Sequence, residues 1–124
     1  MVVLMRRCAI AVTVLLCVAT VPARSQPRRV IQITAERFTF TPSEVVIEAG
    51  EETELRLKSD DTAHGFRIAG TNVNLVVPKR GQGVASATVR LTEPGRYAFE
   101  CTRMCGAGHN FMRGVLIVRA AGGR

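Results

Sequence analysis

Short β-rich runs, broken by turn-forming residues at intervals of about 8 to 12 residues, put the tightest limit on what this chain can fold into. The runs cover residues 30–33, 43–48, 53–58, 64–68, 72–77, 84–91, 97–100 and 114–119, each rich in Val, Ile, Leu, Thr or Phe. Between them stand Thr41-Pro42, Ala49-Gly50, Pro78, Gly81-Gln82-Gly83 and Glu93-Pro94-Gly95. Such spacing is what a sandwich or barrel of antiparallel strands produces, and no helix of ordinary length fits between the interruptions. Alternation agrees: along 53–58, Leu55 and Leu57 point one way while Glu54, Arg56 and Lys58 point the other. The predicted fold is an all-β sandwich of about seven or eight strands in one domain.

The N-terminal segment belongs outside that fold. Arg6 and Arg7 precede an uncharged, mostly apolar stretch at 8–21, followed by Pro22, Ala23 and Ser25. A positive start, a short apolar core and small residues at the exit describe a secretory signal peptide, here 1–26, with cleavage after Ala23 or Ser25. The stretch falls short of the roughly 20 apolar residues that span a bilayer, which leaves an uncleaved anchor as the competing reading. With it go Cys8 and Cys17, and the expected domain is 27–124. Of the full chain's 17 Lys and Arg and 10 Asp and Glu, the domain keeps 14 basic and 10 acidic residues, a charge of +4. Low aromatic content (5%) and the lack of any long run of like charge argue against nucleic acid as the partner.

Within 27–124 the remaining cysteines and one of the histidines crowd into a single connection between strands. Cys101, Cys105, His109 and Met112 follow one another at spacings of four, four and three. Soft sulfur donors with imidazole select copper or zinc, and a Cys/His set with a weak Met is the pattern of a copper electron-transfer site. Gly106 and Gly108 keep that backbone from settling into a helix and let it wrap closely around an ion. A second imidazole must come from His64, the one other histidine of the chain, in Asp61-Thr62-Ala63-His64-Gly65-Phe66. Loops of a sandwich gather at its two ends, so the two segments can meet. Each piece has a plainer alternative: a Cys101–Cys105 disulfide, Met112 as core, and His64 as an incidental surface or capping residue. Paired C-x-x-C knuckles, the usual mark of structural zinc, are absent.

The pattern C-x-x-x-C-G-x-x-H-x-x-M at 101–112 resembles the cupredoxins, and within them the binuclear copper A domains of cytochrome oxidase subunit II and nitrous oxide reductase. The Pro94-Gly95-x-Tyr97-x-Phe99 strand and the Asp61-x-x-His64-x-Phe66 element match as well, so the resemblance covers nearly all of 30–118. It implies a Greek-key β-sandwich that binds two copper ions. Cys101 and Cys105 would bridge both ions, His64 and His109 would each bind one, and Met112 and the carbonyl of Arg103 would be the weak ligands. A mononuclear blue copper loop carries one cysteine, and the second is what points to two ions.

Departures from the resemblance are equally specific. Subunit II normally has a glutamate at the position of Arg103, where its carboxylate helps to hold magnesium, a role Arg103 cannot fill. The N-terminal membrane helices of subunit II and its electron-entry tryptophan have no counterpart, and two histidines are too few for the catalytic cluster of nitrous oxide reductase. The expectation is therefore a free-standing, exported, copper-binding electron-transfer protein, periplasmic or on the outer face of the membrane, monomeric and not itself an enzyme. Copper delivery or buffering in the periplasm is the alternative. Residues 27–61 carry five basic and eight acidic side chains, whereas 62–124 carry nine and two. The basic half holds most of the metal loop, which favours a redox partner with an acidic or apolar docking face, such as one belonging to a membrane-bound oxidase or reductase.

Overall fold

The computed structural model of the protein describes residues 29–122, and the expected signal segment at 1–26 lies outside them. Nine strands occur among the described residues: β1 (Arg29–Glu36), β2 (Thr39–Thr41), β3 (Glu44–Glu48), β4 (Thr53–Ser59), β5 (His64–Ile68), β6 (Asn74–Val77), β7 (Ala85–Val89), β8 (Gly95–Glu100) and β9 (Arg113–Arg119). They form two sheets, one in the order β2-β1-β4-β7 and the other β3-β9-β8-β5-β6. The expected single-domain β-sandwich is thus observed. Among the described residues no helix is long and apolar enough to cross a membrane.

Alternation explains the layering. In β4, Thr53, Leu55, Leu57 and Ser59 are buried and the residues between them are not, as a period of two requires when one face meets a second sheet. Two details depart from the antiparallel expectation. β1 pairs with β4 in parallel, setting Ile31 beside Leu55 and Ile33 beside Leu57. β3 pairs in parallel with β9, from Glu44 beside Val115 to Glu48 beside Arg119. Parallel neighbours are joined only by long excursions of chain, so local turn signals carry no trace of them. The sequence reading also lacks β2, whose three residues directly precede Pro42 and are too few to alternate visibly.

The core bears directly on the cysteine loop. Phe40, Phe66 and Phe99 are at most 2% exposed. Their ring centroids lie 5.1–5.5 Å apart, and Phe40 meets both others edge to face. Burying each ring is worth about 1.5–3 kcal/mol, with about 0.5–1.5 kcal/mol more for each well-placed aromatic pair. Residues two apart share a strand face, so His64 continues the face of Phe66, and Cys101 follows that of Phe99. The aromatic cluster is the floor on which the metal-ligating residue types sit.

Candidate metal centre

The loop 101–112 leaves β8 after Glu100 and re-enters β9 at Arg113. Its two ends are tied by the Cys101 N–H, which donates to Met112 O at 3.1 Å. Inside, the His109 N–H donates to Gly106 O at 3.1 Å, Phe111 to Gly108 O at 3.0 Å, and Met112 to His109 O at 3.2 Å. The last residues before β9 therefore make a single 3-10 turn, His109–Phe111, where the sequence suggested open backbone. That turn swings Met112 inward, to full burial, while Phe111 is left 84% exposed. Gly65, next to His64, permits the approach of β5: a Cβ there would overlap the Thr102 hydroxyl and stand 2.8 Å from the Thr102 and Arg103 nitrogens.

Every residue singled out from the sequence lies around the two cysteine sulfurs. Cys101 Sγ is 3.8 Å from Cys105 Sγ, and both thiols are free. Cys101 Sγ lies 3.9 Å from His64 Nδ1 and 3.2 Å from Arg103 O. Cys105 Sγ lies 3.8 Å from His109 Nδ1 and 3.9 Å from Met112 Sδ. The ligand atoms of His64, Cys101 and Cys105 fall within 4.8 Å of one another. Sulfur and nitrogen donors on one tetrahedral first-row ion, at about 2.3 and 2.0 Å from it, stand about 3.6 Å apart, close to the spacings here. Donor chemistry and spacing thus fit a copper-type ion.

The two imidazoles differ in their surroundings. His64 is fully buried. His109 is half-buried and lines a recess of about 280 Å³ together with Glu100, Thr102, Asn110, Met112 and Arg113. His64 Nε2 lies 2.7 Å from Asp61 Oδ1, and an ionised carboxylate can only accept. The Nε2 hydrogen therefore points at Asp61, which in the neutral ring leaves the Nδ1 lone pair facing Cys101. Partial burial pushes the Asp61 carboxyl up, but the bonds from His64 and from the Arg37 and Thr62 N–H groups outweigh it and hold the group down at about 2. Burial raises the Cys105 thiol to about 11, the neighbouring Cys101 and Asp61 adding to the effect and Arg37 opposing it.

Two supporting residues escaped the sequence reading. Arg37, in the turn between β1 and β2, donates its peptide N–H to Asp61 Oδ2 at 2.8 Å and its guanidinium Nε to Cys105 O at 2.6 Å. Phe38 places its ring against the loop, where a Cβ on Gly106 would come within 2.9 Å of it and one on Gly108 would overlap it. Gly106 has φ +143°, within the region glycine favours. Both glycines therefore serve the Phe38 packing as well as the tight path of the loop. Arg37 and Cys105 are 68 residues apart, and no local motif links them.

Residues 7–118 match the family model described as a cupredoxin-like domain. The chain is 36% identical over 92 residues to cytochrome c oxidase subunit 2 of Thermus thermophilus, covering 72% of this chain and 64% of that protein. It is 36% identical over 94 residues to the nitrous-oxide reductase of Cupriavidus necator, covering 73% of this chain but 14% of that enzyme. The chain therefore spans less than two thirds of the length of these relatives. Among solved structures, a heme-copper terminal oxidase dimer contains a chain superposing with a TM-score of 0.66 at 28% identity, over 73% of this chain and 65% of its own.

Proposed function

The chain belongs to the cupredoxin-like domain family, and on that premise we propose that it is an exported one-electron carrier holding a binuclear copper A centre. The observation that carries this reading is the pairing of donors. Each of the two sulfurs has its own imidazole nitrogen at 3.8–3.9 Å and its own weak donor, Arg103 O for Cys101 and Met112 Sδ for Cys105. Two thiolates with one imidazole and one weak ligand on each side make two near-equivalent half-sites. In this reading Cys101, Cys105, His64, His109, Met112 and the Arg103 carbonyl would hold the copper, which would supply one-electron redox chemistry.

The protein's part is to keep that set fixed and dry. Cys101, Cys105, His64 and Met112 are between 0 and 6% exposed, so a change of charge at the centre moves little water. The loop is anchored in β8 and β9 and its floor is packed phenylalanine, which limits movement between oxidation states. Around it, Met104 and Phe111 are 76% and 84% exposed, beside the exposed Arg103 and Arg113. Such a surface suits an acidic or apolar face on the redox partner, and a monomeric carrier exchanging electrons with an oxidase or reductase system outside the cytoplasmic membrane. In this reading residues 1–26 serve as the export signal and 27–124 as the copper domain.

Copper delivery is the second reading, favoured by Met104, an exposed soft donor placed between the two cysteines. Copper stoichiometry together with electron paramagnetic resonance on the reconstituted chain tests both. Two coppers per chain, with one unpaired electron shared between two nuclei and repeated redox cycling without copper loss, is the expected result. One copper with a mononuclear signal refutes the binuclear centre, and rapid transfer of copper to an apo acceptor refutes the carrier role.

A further inference from the structure

The β1–β2 turn grips both ligand-bearing segments of the centre at once. The peptide N–H of Arg37 holds Asp61 Oδ2 at 2.8 Å, and Asp61 in turn holds His64 Nε2 at 2.7 Å. The Arg37 guanidinium holds the Cys105 carbonyl at 2.6 Å, and the adjacent Phe38 ring fills the space left by Gly106 and Gly108. The two grips are chemically separable. Replacing the Arg37 side chain leaves its peptide N–H in place and removes only the bond to Cys105. A hydrogen bond from a guanidinium is charge-assisted and stronger than one between neutral groups. It ends on the backbone of a cysteine whose sulfur lies between Cys101, His109 and Met112.

We propose that Arg37 is a positioning residue of the metal centre: its guanidinium fixes the 101–112 loop at a set distance from the Asp61–His64 pair and places a permanent positive charge beside the sulfurs. The redox consequence rests on the copper-binding reading given above. The mechanical consequence does not, because the bonds exist in the polypeptide alone. A positive charge near the centre opposes the more oxidised, more positive state, so removing it lowers the reduction potential. Lysine keeps the charge but lacks the planar fork that grips a carbonyl in fixed orientation.

The experiment compares Arg37→Met, Arg37→Lys and the unaltered full chain. In the metal-free, reduced proteins, amide hydrogen exchange is read at Cys101, His109, Phe111 and Met112, whose N–H groups bond within the loop, and at β4 as the internal reference. Arg37→Met is expected to speed the loop amides about tenfold and to leave β4 unchanged. In the copper-loaded proteins it is expected to speed copper loss to a chelator about tenfold and to lower the potential, which Arg37→Lys restores. Loop exchange equal to that of the unaltered chain overturns the proposal, as does an equal acceleration of β4, which would mark a general loss of stability. A potential unchanged in Arg37→Met, or lowered equally in Arg37→Lys, overturns the role of the charge. Should the chain bind copper in some other way, the exchange measurement still decides the mechanical role of Arg37.

Discussion

Asp61→Asn should remove an acid-sensitive part of the stability of the metal-free protein. The native carboxyl is held at about 2, against an ordinary value of 3.8. That difference is worth about 2 kcal/mol, at about 1.4 kcal/mol per pKa unit, and the side chain is only 28% exposed. The sign follows from the direction of the shift. The folded state favours the charged carboxylate, so the contribution is complete above pH 5 and drains away as pH falls toward 2. Roughly 1 kcal/mol of it should be gone by pH 3. Urea titrations of the reduced, metal-free chain from pH 6 to pH 3 measure this. Asp61→Asn should be about 2 kcal/mol less stable at pH 6, and the gap to the unaltered chain should narrow by about 1 kcal/mol at pH 3. A gap that stays constant with pH would refute the reasoning, because it would mean that the Asp61 bonds do not depend on its charge.

Four other outcomes follow from the geometry and the electrostatics of the site. Gly65→Ala drives a methyl group into the Thr102 and Arg103 backbone and should cost about 1–3 kcal/mol by overpacking, together with weaker copper retention; denaturation and retention like those of the unaltered chain would contradict the close approach of β5. Because burial holds the Cys105 thiol protonated up to about 11, copper(I) binding at pH 7 should release at least one proton from Cys105, read with an indicator dye, and binding should tighten as pH rises; uptake without proton release would contradict thiolate ligation. Without metal, the same raised thiol makes stability fall as pH climbs from 9 through 11. Arg113→Glu should slow electron exchange with an acidic partner at low salt and leave the rate at high salt little changed; equal rates for the two proteins at low salt would remove the basic face from docking.

What was legible in the sequence followed from short-range pattern. Period-two alternation in 53–58 placed β4, and the spacing of Cys101, Cys105, His109 and Met112 marked one loop. His64 could be joined to that loop because the chain offers no other histidine partner and because sandwich loops cluster at the ends. Longer-range relations left no such trace. The parallel seams β1–β4 and β3–β9 join segments with no shared turn, and Arg37 reads in sequence as an ordinary charge between two strands. Asp61 belongs to the Asp61-x-x-His64 pattern, yet its bond to His64 Nε2 depends on how the chain turns between β4 and β5. In sequence the glycines signal backbone freedom alone, and the aromatic ring that occupies their space lies in another part of the chain.

The β3–β9 seam also fixes when the centre can come into being. β9 is the last of the described strands and pairs with both β8 and β3, the latter about seventy residues earlier in sequence. Contacts of such separation are slow to form, since a long loop must close before any bond rewards it. The tie between Cys101 and Met112 sits at the root of β9, so it waits for that strand. Until β9 pairs, the sulfur loop stays open at its C-terminal root, with His64 and its carboxylate already present earlier in the chain. Metal capture by the full donor set is thereby a report of completed folding, and a copy truncated within β9 carries every ligand and still lacks the site.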